Sequence, residues 1–148
     1  MSGRNARLGL VLGLLPLLTG AQSAGKESAA PKCNNKPLVC SIARGVECDG
    51  SLNCAPPTDR TNAPTFIHVD PEKKIVTLLA PANRRGEVTR IQAMDRSAGL
   101  LTLSGVEAGR GWSLVITENT GNMTLTVADP DAAFVVFGRC LCETETRP

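Results

Sequence analysis

Residues 111–129, GWSLVITENTGNMTLTVAD, decide the fold of this chain. On both sides of a polar segment around Gly121, large apolar residues occupy every second position, at Trp112, Leu114, Ile116, Met123, Leu125 and Val127. A repeat of two is typical of β-strands with one buried face, and an Asn-Thr-Gly-Asn connection is typical of a turn. The stretch therefore predicts an antiparallel hairpin whose apolar side chains lie on one side.

The same pattern continues in both directions, from Thr65 to Cys142. Short β-branched and apolar runs alternate with turn residues at a spacing of roughly ten residues, which is typical of all-β domains. These runs predict seven strands, at residues 65–70, 74–80, 87–94, 100–105, 112–118, 123–128 and 133–142. Because the connections are short, sequential strands are expected to pair as an antiparallel meander over residues 65–143. A meander of this size forms a curved sheet or a small barrel.

The chain before this domain divides into two segments, and a third follows it. Residues 1–24 carry two arginines, then the 11-residue apolar run LGLVLGLLPLL, then small and polar residues, which is the order of a secretory signal peptide. No transmembrane segment is expected after its cleavage, because the run is well short of the roughly 20 residues that span a bilayer. Residues 25–64 hold four cysteines and five prolines without a sustained period, so an irregular segment is expected there. Residues 144–148 are expected to form a polar tail.

All six cysteines follow the predicted cleavage site, at Cys33, Cys40, Cys48, Cys54, Cys140 and Cys142. An exported chain meets an oxidising compartment, so disulfides are expected. Cys140 and Cys142 lie two residues apart on a predicted strand, and excluding a bond between them reduces the 15 possible connectivities to 12. In each of the 12, both C-terminal cysteines pair with the N-terminal group. A Cys-x-Cys spacing also differs from that of zinc and dithiol redox motifs.

His68 is the only histidine, so any histidine-based catalysis has to use it. Asp70 follows on the same face of the predicted strand and is placed to orient the imidazole, but the sequence indicates no nucleophile beside them. We therefore interpret His68 as a partly exposed strand residue. Asp129 and Asp131 are interpreted as a proline-centred turn in preference to calcium ligands. The sequence predicts no catalytic residue, no metal site and no cofactor.

Composition narrows the range of partners. Three Phe, one Trp and no Tyr are too few aromatic residues for the stacking surfaces that bind single-stranded nucleic acid. Without Arg4 and Arg7, the predicted mature chain has 14 basic and 14 acidic residues, so it lacks the positive charge that nucleic-acid binding requires. Arg84, Arg85 and Arg90 are interpreted as solvated turn charges in preference to an anion-binding patch. No nucleic-acid partner is expected.

Together with the signal peptide, residues 111–129 and the ending AFVVFGRCLCE at 133–143 resemble a loose group of small exported β-domain proteins of Gram-negative bacteria. The shared features are a strand, a Thr-Gly hairpin, a second strand and a closing Phe-Gly-x-Cys tail, over Thr65 to Cys142. The resemblance implies a β-fold and export to the periplasm or the medium. The group has no assigned activity, so the resemblance implies no site.

These observations favour a non-enzymatic, disulfide-stabilised binding or structural protein of the bacterial envelope. Its partner would be a protein, an envelope component or a small ligand. One alternative is an inhibitor of a hydrolase, whose contact would be the predicted loop at residues 107–111 with Trp112 at its end. A second alternative is a thiol redox protein that uses Cys140 and Cys142.

Overall fold

The computed structural model describes residues 33–57, 62–128 and 130–143, and it confirms the all-β prediction. These residues form a 3₁₀-helix at Ala82–Arg84 and ten strands: β1 Leu38–Asp49, β2 Cys54–Ala55, β3 Phe66–Asp70, β4 Ile75–Ala80, β5 Val88–Arg90, β6 Ala93–Ser97, β7 Leu100–Glu107, β8 Arg110–Thr117, β9 Asn122–Ala128 and β10 Ala132–Cys142. Across the described ranges, no helix has the length and apolar character needed to span a bilayer. The predicted signal peptide, the predicted tail and Asp129 lie outside the described residues.

All strands belong to one antiparallel sheet, in the order β5-β4-β3-β1-β10-β9-β8-β7-β6, with β2 beside β1. The sheet curls into a half-barrel, as a sheet of this size does when each strand twists against the next. Its edge strands β5 and β6 are joined by Ile91 and Gln92. The Ile91 N–H donates to the Lys74 carbonyl at 2.9 Å, and the Gln92 N–H donates to the Ser104 carbonyl at 2.8 Å. This corner therefore connects the two edges of the curled sheet.

The prediction of an irregular segment at residues 25–64 is wrong for residues 38–49, which form β1. This strand lies in the middle of the sheet, between β3 and β10, so the meander is interrupted there. A β-bulge between Ile42 and Arg44 shifts its register against β10. A bulge reverses the inward and outward alternation of side chains within a strand. No single period of two therefore runs through β1, and for this reason the sequence pattern does not predict the strand.

The prediction of about seven strands is also too low. The predicted strand at 87–94 is two strands, β5 and β6, which are separated by the corner at Ile91 and Gln92. Every residue of β6 is exposed, so it carries no apolar alternation that a sequence pattern could detect. The two-residue turns of Ala98 with Gly99 and Ala108 with Gly109 have positive φ throughout, which matches the twist of tight hairpins.

The half-barrel is tightly packed at the end where the chain termini of the domain meet. Ile116 of β8 and Met123 of β9 are buried at this end, and the predicted inward face of β8 continues, also buried, through Leu114 and Trp112 towards the other end. Disulfides join Cys33 to Cys142, Cys40 to Cys140 and Cys48 to Cys54. This is one of the 12 connectivities that the sequence left open. Two of the three bonds attach the N-terminal part of the domain to the end of β10.

Candidate functional site

At the opposite end the half-barrel encloses an open cavity of about 660 Å³. One wall comes from β1, β3 and β4 and carries Ile42, Ile67, Val76 and Leu78. The facing wall comes from β8, β9 and β10 and carries Trp112, Leu114, Leu125, Val127, Phe134 and Val136. These side chains face each other because each strand sends alternate residues to the concave side of the curled sheet. The lining is therefore a continuous apolar surface, which is what small-molecule sites in β-barrels present.

Charged residues also belong to the lining of this cavity. They are three arginines and three glutamates: Arg44, Arg84, Arg110, Glu47, Glu87 and Glu107. Arg84 donates to Glu87, with 2.6 Å between Nη2 and Oε2, and this contact raises the pKa of Arg84 and lowers the pKa of Glu87. Glu107 and Arg110 lie opposite each other at the β7–β8 hairpin. The cavity lining therefore carries positive and negative side chains in equal number.

Two buried polar atoms in the cavity lining have no hydrogen-bond partner among the described residues: Nε1 of Trp112 and Oγ1 of Thr89. Trp112 is only 8% exposed. Its indole N–H can only donate, whereas the threonine hydroxyl can donate and accept. A buried donor without a partner costs about 1–3 kcal/mol, so such atoms are rare unless they serve a purpose. Both belong to residues of the cavity lining, but the two atoms themselves are shielded from the cavity as well as from bulk solvent.

Gly105 of β7 lies at the corner where the backbone of β5 comes close to the Trp112 ring. A Cβ atom at Gly105 would lie 2.5 Å from the carbonyl oxygen of Arg90 and 2.7 Å from the nearest atom of the Trp112 ring. The backbone beside Thr89 and the indole ring therefore both press against a position that only glycine can occupy. Thr89 pairs with Val76, another residue of the lining.

His68 lies away from the cavity. Its neighbours Ile67 and Val69 are buried on the concave side, so His68 points to the convex face. There its Nε2 lies 3.2 Å from Oε2 of Glu143, an exposed carboxylate near the end of the domain. Asp70, which the sequence placed beside His68, instead bonds to Lys73. In the structure His68 is therefore paired with Glu143, and Asp70 with Lys73.

Asp70 closes the turn between β3 and β4, and it is 3% exposed. Its Oδ1 accepts the backbone N–H of Lys73 at 2.9 Å, and its Oδ2 lies 3.0 Å from Lys73 Nζ. The backbone hydrogen bond from Lys73 lowers the pKa of Asp70, and the lysine side chain adds to this effect although burial opposes it. The ionised carboxylate therefore stabilises the turn.

Asp70→Ala is expected to lower the free energy of unfolding by about 2 kcal/mol at neutral pH, because it removes hydrogen bonds to a charged acceptor. A folded-state pKa below the ordinary value of about 3.9 makes this contribution complete above that pH. The difference between wild type and variant should therefore shrink as the pH falls through the lower pKa of the folded protein. Urea unfolding across this pH range measures it. Glu72→Ala, an exposed carboxylate of the same turn, is the control and should change stability by less than about 0.5 kcal/mol.

The other candidates from the sequence are separated in the structure. Arg84 bonds to Glu87, and Arg85 Nε donates to the Leu79 carbonyl at 2.9 Å, so these two arginines have partners within their own turn. Cys140 and Cys142 bond to two different cysteines and not to each other. Within the described ranges, no three His, Cys, Asp or Glu side chains gather in a way that would hold a metal ion.

Sequence reasoning missed Thr89 and Trp112 as lining residues that bury a polar atom without a partner among the described residues. Thr89 belongs to β5, whose short run does not alternate, so no pattern marked it as inward-facing. The sequence predicts Trp112 on the apolar face of its strand, but it suggests a function for Trp112 only beside the predicted loop at residues 107–111. Gly105 was a usable signal, because a glycine inside a predicted strand indicates close approach of another group.

The chain was compared with known proteins. A scan against protein-family profiles gave no match. A search among curated proteins also gave no match. The feature that points to a function is the cavity, with its apolar walls and the charged residues of both signs in its lining.

Proposed function

We propose that this chain is an exported, non-enzymatic binding protein that holds a small ligand with an apolar body in the cavity of its half-barrel. The observation that carries the proposal is the open cavity of about 660 Å³ with continuous apolar walls. Sites for small molecules and cofactors span about 300–1,000 Å³, with mostly apolar linings and a few polar groups. A ligand that covers these walls removes exposed apolar surface from water, which favours binding.

Export to the bacterial periplasm or medium is part of the proposal. Its support is the signal-peptide pattern of residues 1–24 and the pairing of all six cysteines, since structural disulfides persist in oxidising compartments. The resemblance to exported β-domain proteins of Gram-negative bacteria points to the same location. In that setting a carrier or sensor of small amphipathic molecules needs a covalently stabilised shell around its site.

Ligand binding is favoured over hydrolase inhibition by the position of Trp112. An inhibitor loop needs an exposed aromatic or charged anchor, whereas the indole of Trp112 is buried in the barrel wall. The turn before it carries Ala108 and Gly109 at its tip, and its two charged residues, Glu107 and Arg110, lie opposite each other across the hairpin. The redox alternative is likewise disfavoured, because Cys140 and Cys142 each belong to a separate disulfide.

The test compares Val136→Trp with Val135→Trp. These neighbours on β10 point to opposite faces: Val136 lines the cavity opposite Gly45, and Val135 pairs with Thr126 on the convex side. Binding is measured with N-phenyl-1-naphthylamine, an uncharged apolar dye, excited outside the tryptophan band. We expect saturable binding by the wild type, about tenfold weaker binding by Val136→Trp because the indole occupies ligand space, and little change in Val135→Trp.

Urea unfolding of each variant shows that the fold is retained, and Leu125→Trp serves as a second cavity-filling variant if Val136→Trp does not fold. Absence of saturable dye binding to the wild type would contradict the proposal. Equal binding by the two Val→Trp variants would also contradict it, because the dye would then occupy another surface.

A further inference from the structure

We infer that the ligand of this cavity is an amphiphile with a cationic alkylammonium head group, which binds at the carboxylate of Glu47 while its apolar chain covers the walls. The inference rests on the proposed binding function and adds the chemical class of the ligand. It follows from the position of Glu47 on the concave surface, from its lack of a counter-ion, and from the aromatic residue opposite it.

Glu47 of β1 belongs to the concave surface of the half-barrel. It pairs directly with Phe134 of β10, and two positions earlier Gly45 pairs with Val136. All four residues line the cavity. Side chains of directly opposite residues project from the same face of a sheet, so Glu47 and Phe134 both project towards the cavity. Glu47 is only partly buried, and β2 and β10 cover its backbone from both sides, so its exposed surface belongs to the side chain.

The carboxylate of Glu47 has no counter-ion within the described part of the chain. The ion pairs there join His68 to Glu143, Lys73 to Asp70, Arg84 to Glu87 and Arg96 to Glu118. Glu47 takes part in none of them. A carboxylate that is partly buried among apolar side chains loses some of its hydration, which costs free energy unless a positive group compensates for it. A cationic ligand supplies that positive group.

Two of the three lining arginines have glutamate neighbours other than Glu47. Arg84 is bound to Glu87, with 2.6 Å between Nη2 and Oε2. Arg110 lies directly opposite Glu107 at the β7–β8 hairpin. Glu47 is therefore the lining glutamate that neither of these arginines neutralises.

The third arginine, Arg44, adjoins the cavity at the bulge of β1. Its partner on β10 is Phe137, which follows the lining residue Val136 and is 44% exposed. Because successive residues of a strand project from opposite faces, Arg44 and Phe137 project from the convex face. The Arg44 side chain therefore lies on the other side of the sheet from the Glu47 side chain, and a head group in the cavity meets the negative charge.

Phe134 places an aromatic ring beside this carboxylate. The Cα atoms of directly opposite residues in antiparallel strands lie about 4.5–5.5 Å apart, so one head group can contact both side chains. The face of an aromatic ring attracts an ammonium group within about 6 Å and repels a carboxylate. An alkyl chain on that head group then extends over Val136 and Leu125, which pair directly in the cavity wall.

The experiment displaces N-phenyl-1-naphthylamine from the wild-type protein with three compounds that share one ten-carbon chain: decylammonium, decanol and decanoate. Each is used below the concentration at which it forms micelles. We expect decylammonium to bind about fivefold more tightly than decanol, which is typical of one partly exposed ion pair, and decanoate to bind most weakly. At about 1 M salt the preference for decylammonium should shrink to about twofold, because salt screens the ion pair and leaves the apolar contact.

Two variants test the assigned side chains. Glu47→Gln removes the charge and keeps the shape, so the preference for decylammonium over decanol should fall to about twofold or less. Phe134→Leu keeps an apolar wall and removes the ring, so the preference should fall by about a factor of two. Glu72→Gln is the control, because Glu72 is an exposed glutamate of the β3–β4 turn outside the cavity lining, and it should keep the wild-type preference. Urea unfolding shows that each variant is folded.

Glu107→Gln distinguishes one assigned carboxylate from the general charge of the lining. Glu107 also belongs to the lining, but its direct neighbour across the hairpin is Arg110. A loss of preference in this variant as large as in Glu47→Gln would contradict the assignment of the cation to Glu47.

The outcomes separate the two proposals. If the dye does not bind the wild type, the proposed function fails and the inference fails with it. If the dye binds but the three compounds displace it equally, the cavity binds ligands and the assigned head group is wrong. Tightest binding of decanoate would also overturn the inference, because an anion would then be the favoured ligand. If a variant does not fold, the wild-type preference and its salt dependence still decide between these outcomes.

Discussion

Replacing Cys40 and Cys140 together with alanine is expected to lower the free energy of unfolding by about 4 kcal/mol. The two residues lie directly opposite each other on β1 and β10, with Cα atoms 3.9 Å apart. Their bond joins positions 100 residues apart in sequence. It restricts the unfolded chain and also fills part of the packed core.

The expected size follows from the neighbouring bond. Cys33–Cys142 remains in the variant and already joins the same two ends of the domain. The second bond then closes a small ring of residues 33–40 and 140–142, whose loop entropy corresponds to about 3 kcal/mol. Cys40 is 0% and Cys140 2% exposed, so removing their sulfur atoms leaves a small void that costs about 1 kcal/mol more.

The control is Cys48→Ala with Cys54→Ala. This disulfide spans 6 residues at the less buried end of β1, and closing so short a loop corresponds to about 2 kcal/mol. Both double variants are compared with the wild type by urea unfolding under non-reducing conditions, with Trp112 fluorescence as the signal. An equal loss of stability in the two variants would contradict the argument, because loop length and burial would then have no effect.

The part of the fold that sequence can predict is the part where alternation and turns are local. Trp112, Leu114 and Ile116 alternate over five positions and end at a Thr-Gly turn, so β8 and β9 follow from neighbouring residues alone. β1 is different. It pairs with β10, about 100 residues later in the chain, and its bulge after Ile42 disrupts its own pattern. The cysteine pattern brings the two segments near each other, but it indicates neither that residues 38–49 form a strand nor which residues pair.

The candidate site was less predictable than the fold for a related reason. Its walls come from strands at both ends of the sheet, and only the curl of the whole sheet makes Ile67 face Val127 across one cavity. The corner where β5 approaches Gly105 and Trp112 depends further on the turn of the chain at Ile91 and Gln92. Neither Gly nor Pro marks that turn in the sequence. His68 is a candidate in the sequence because a histidine side chain can act as a general acid or base. Strand alternation places it on the face opposite the cavity.

Gly105→Ala is expected to lower the free energy of unfolding by about 3 kcal/mol, because overpacking against rigid neighbours costs about this much. The added methyl group would overlap the Arg90 carbonyl and the Trp112 ring, and a backbone carbonyl cannot rotate away as the end of a flexible side chain can. The strain falls at the corner where β5 approaches β7. Separating these strands would also move Thr89 away from Trp112.

The same substitution therefore links the stability of the half-barrel to its cavity. Dye binding should weaken in Gly105→Ala together with stability, measured well below the unfolding transition. Gly111→Ala on β8 is the matched control, because a Cβ at Gly111 has nothing within 4 Å. It should leave binding unchanged and stability equal or slightly higher, since alanine restricts the unfolded chain more than glycine does. If Gly105→Ala behaved like Gly111→Ala, the close contact of Gly105 with the Arg90 carbonyl and the Trp112 ring would be refuted.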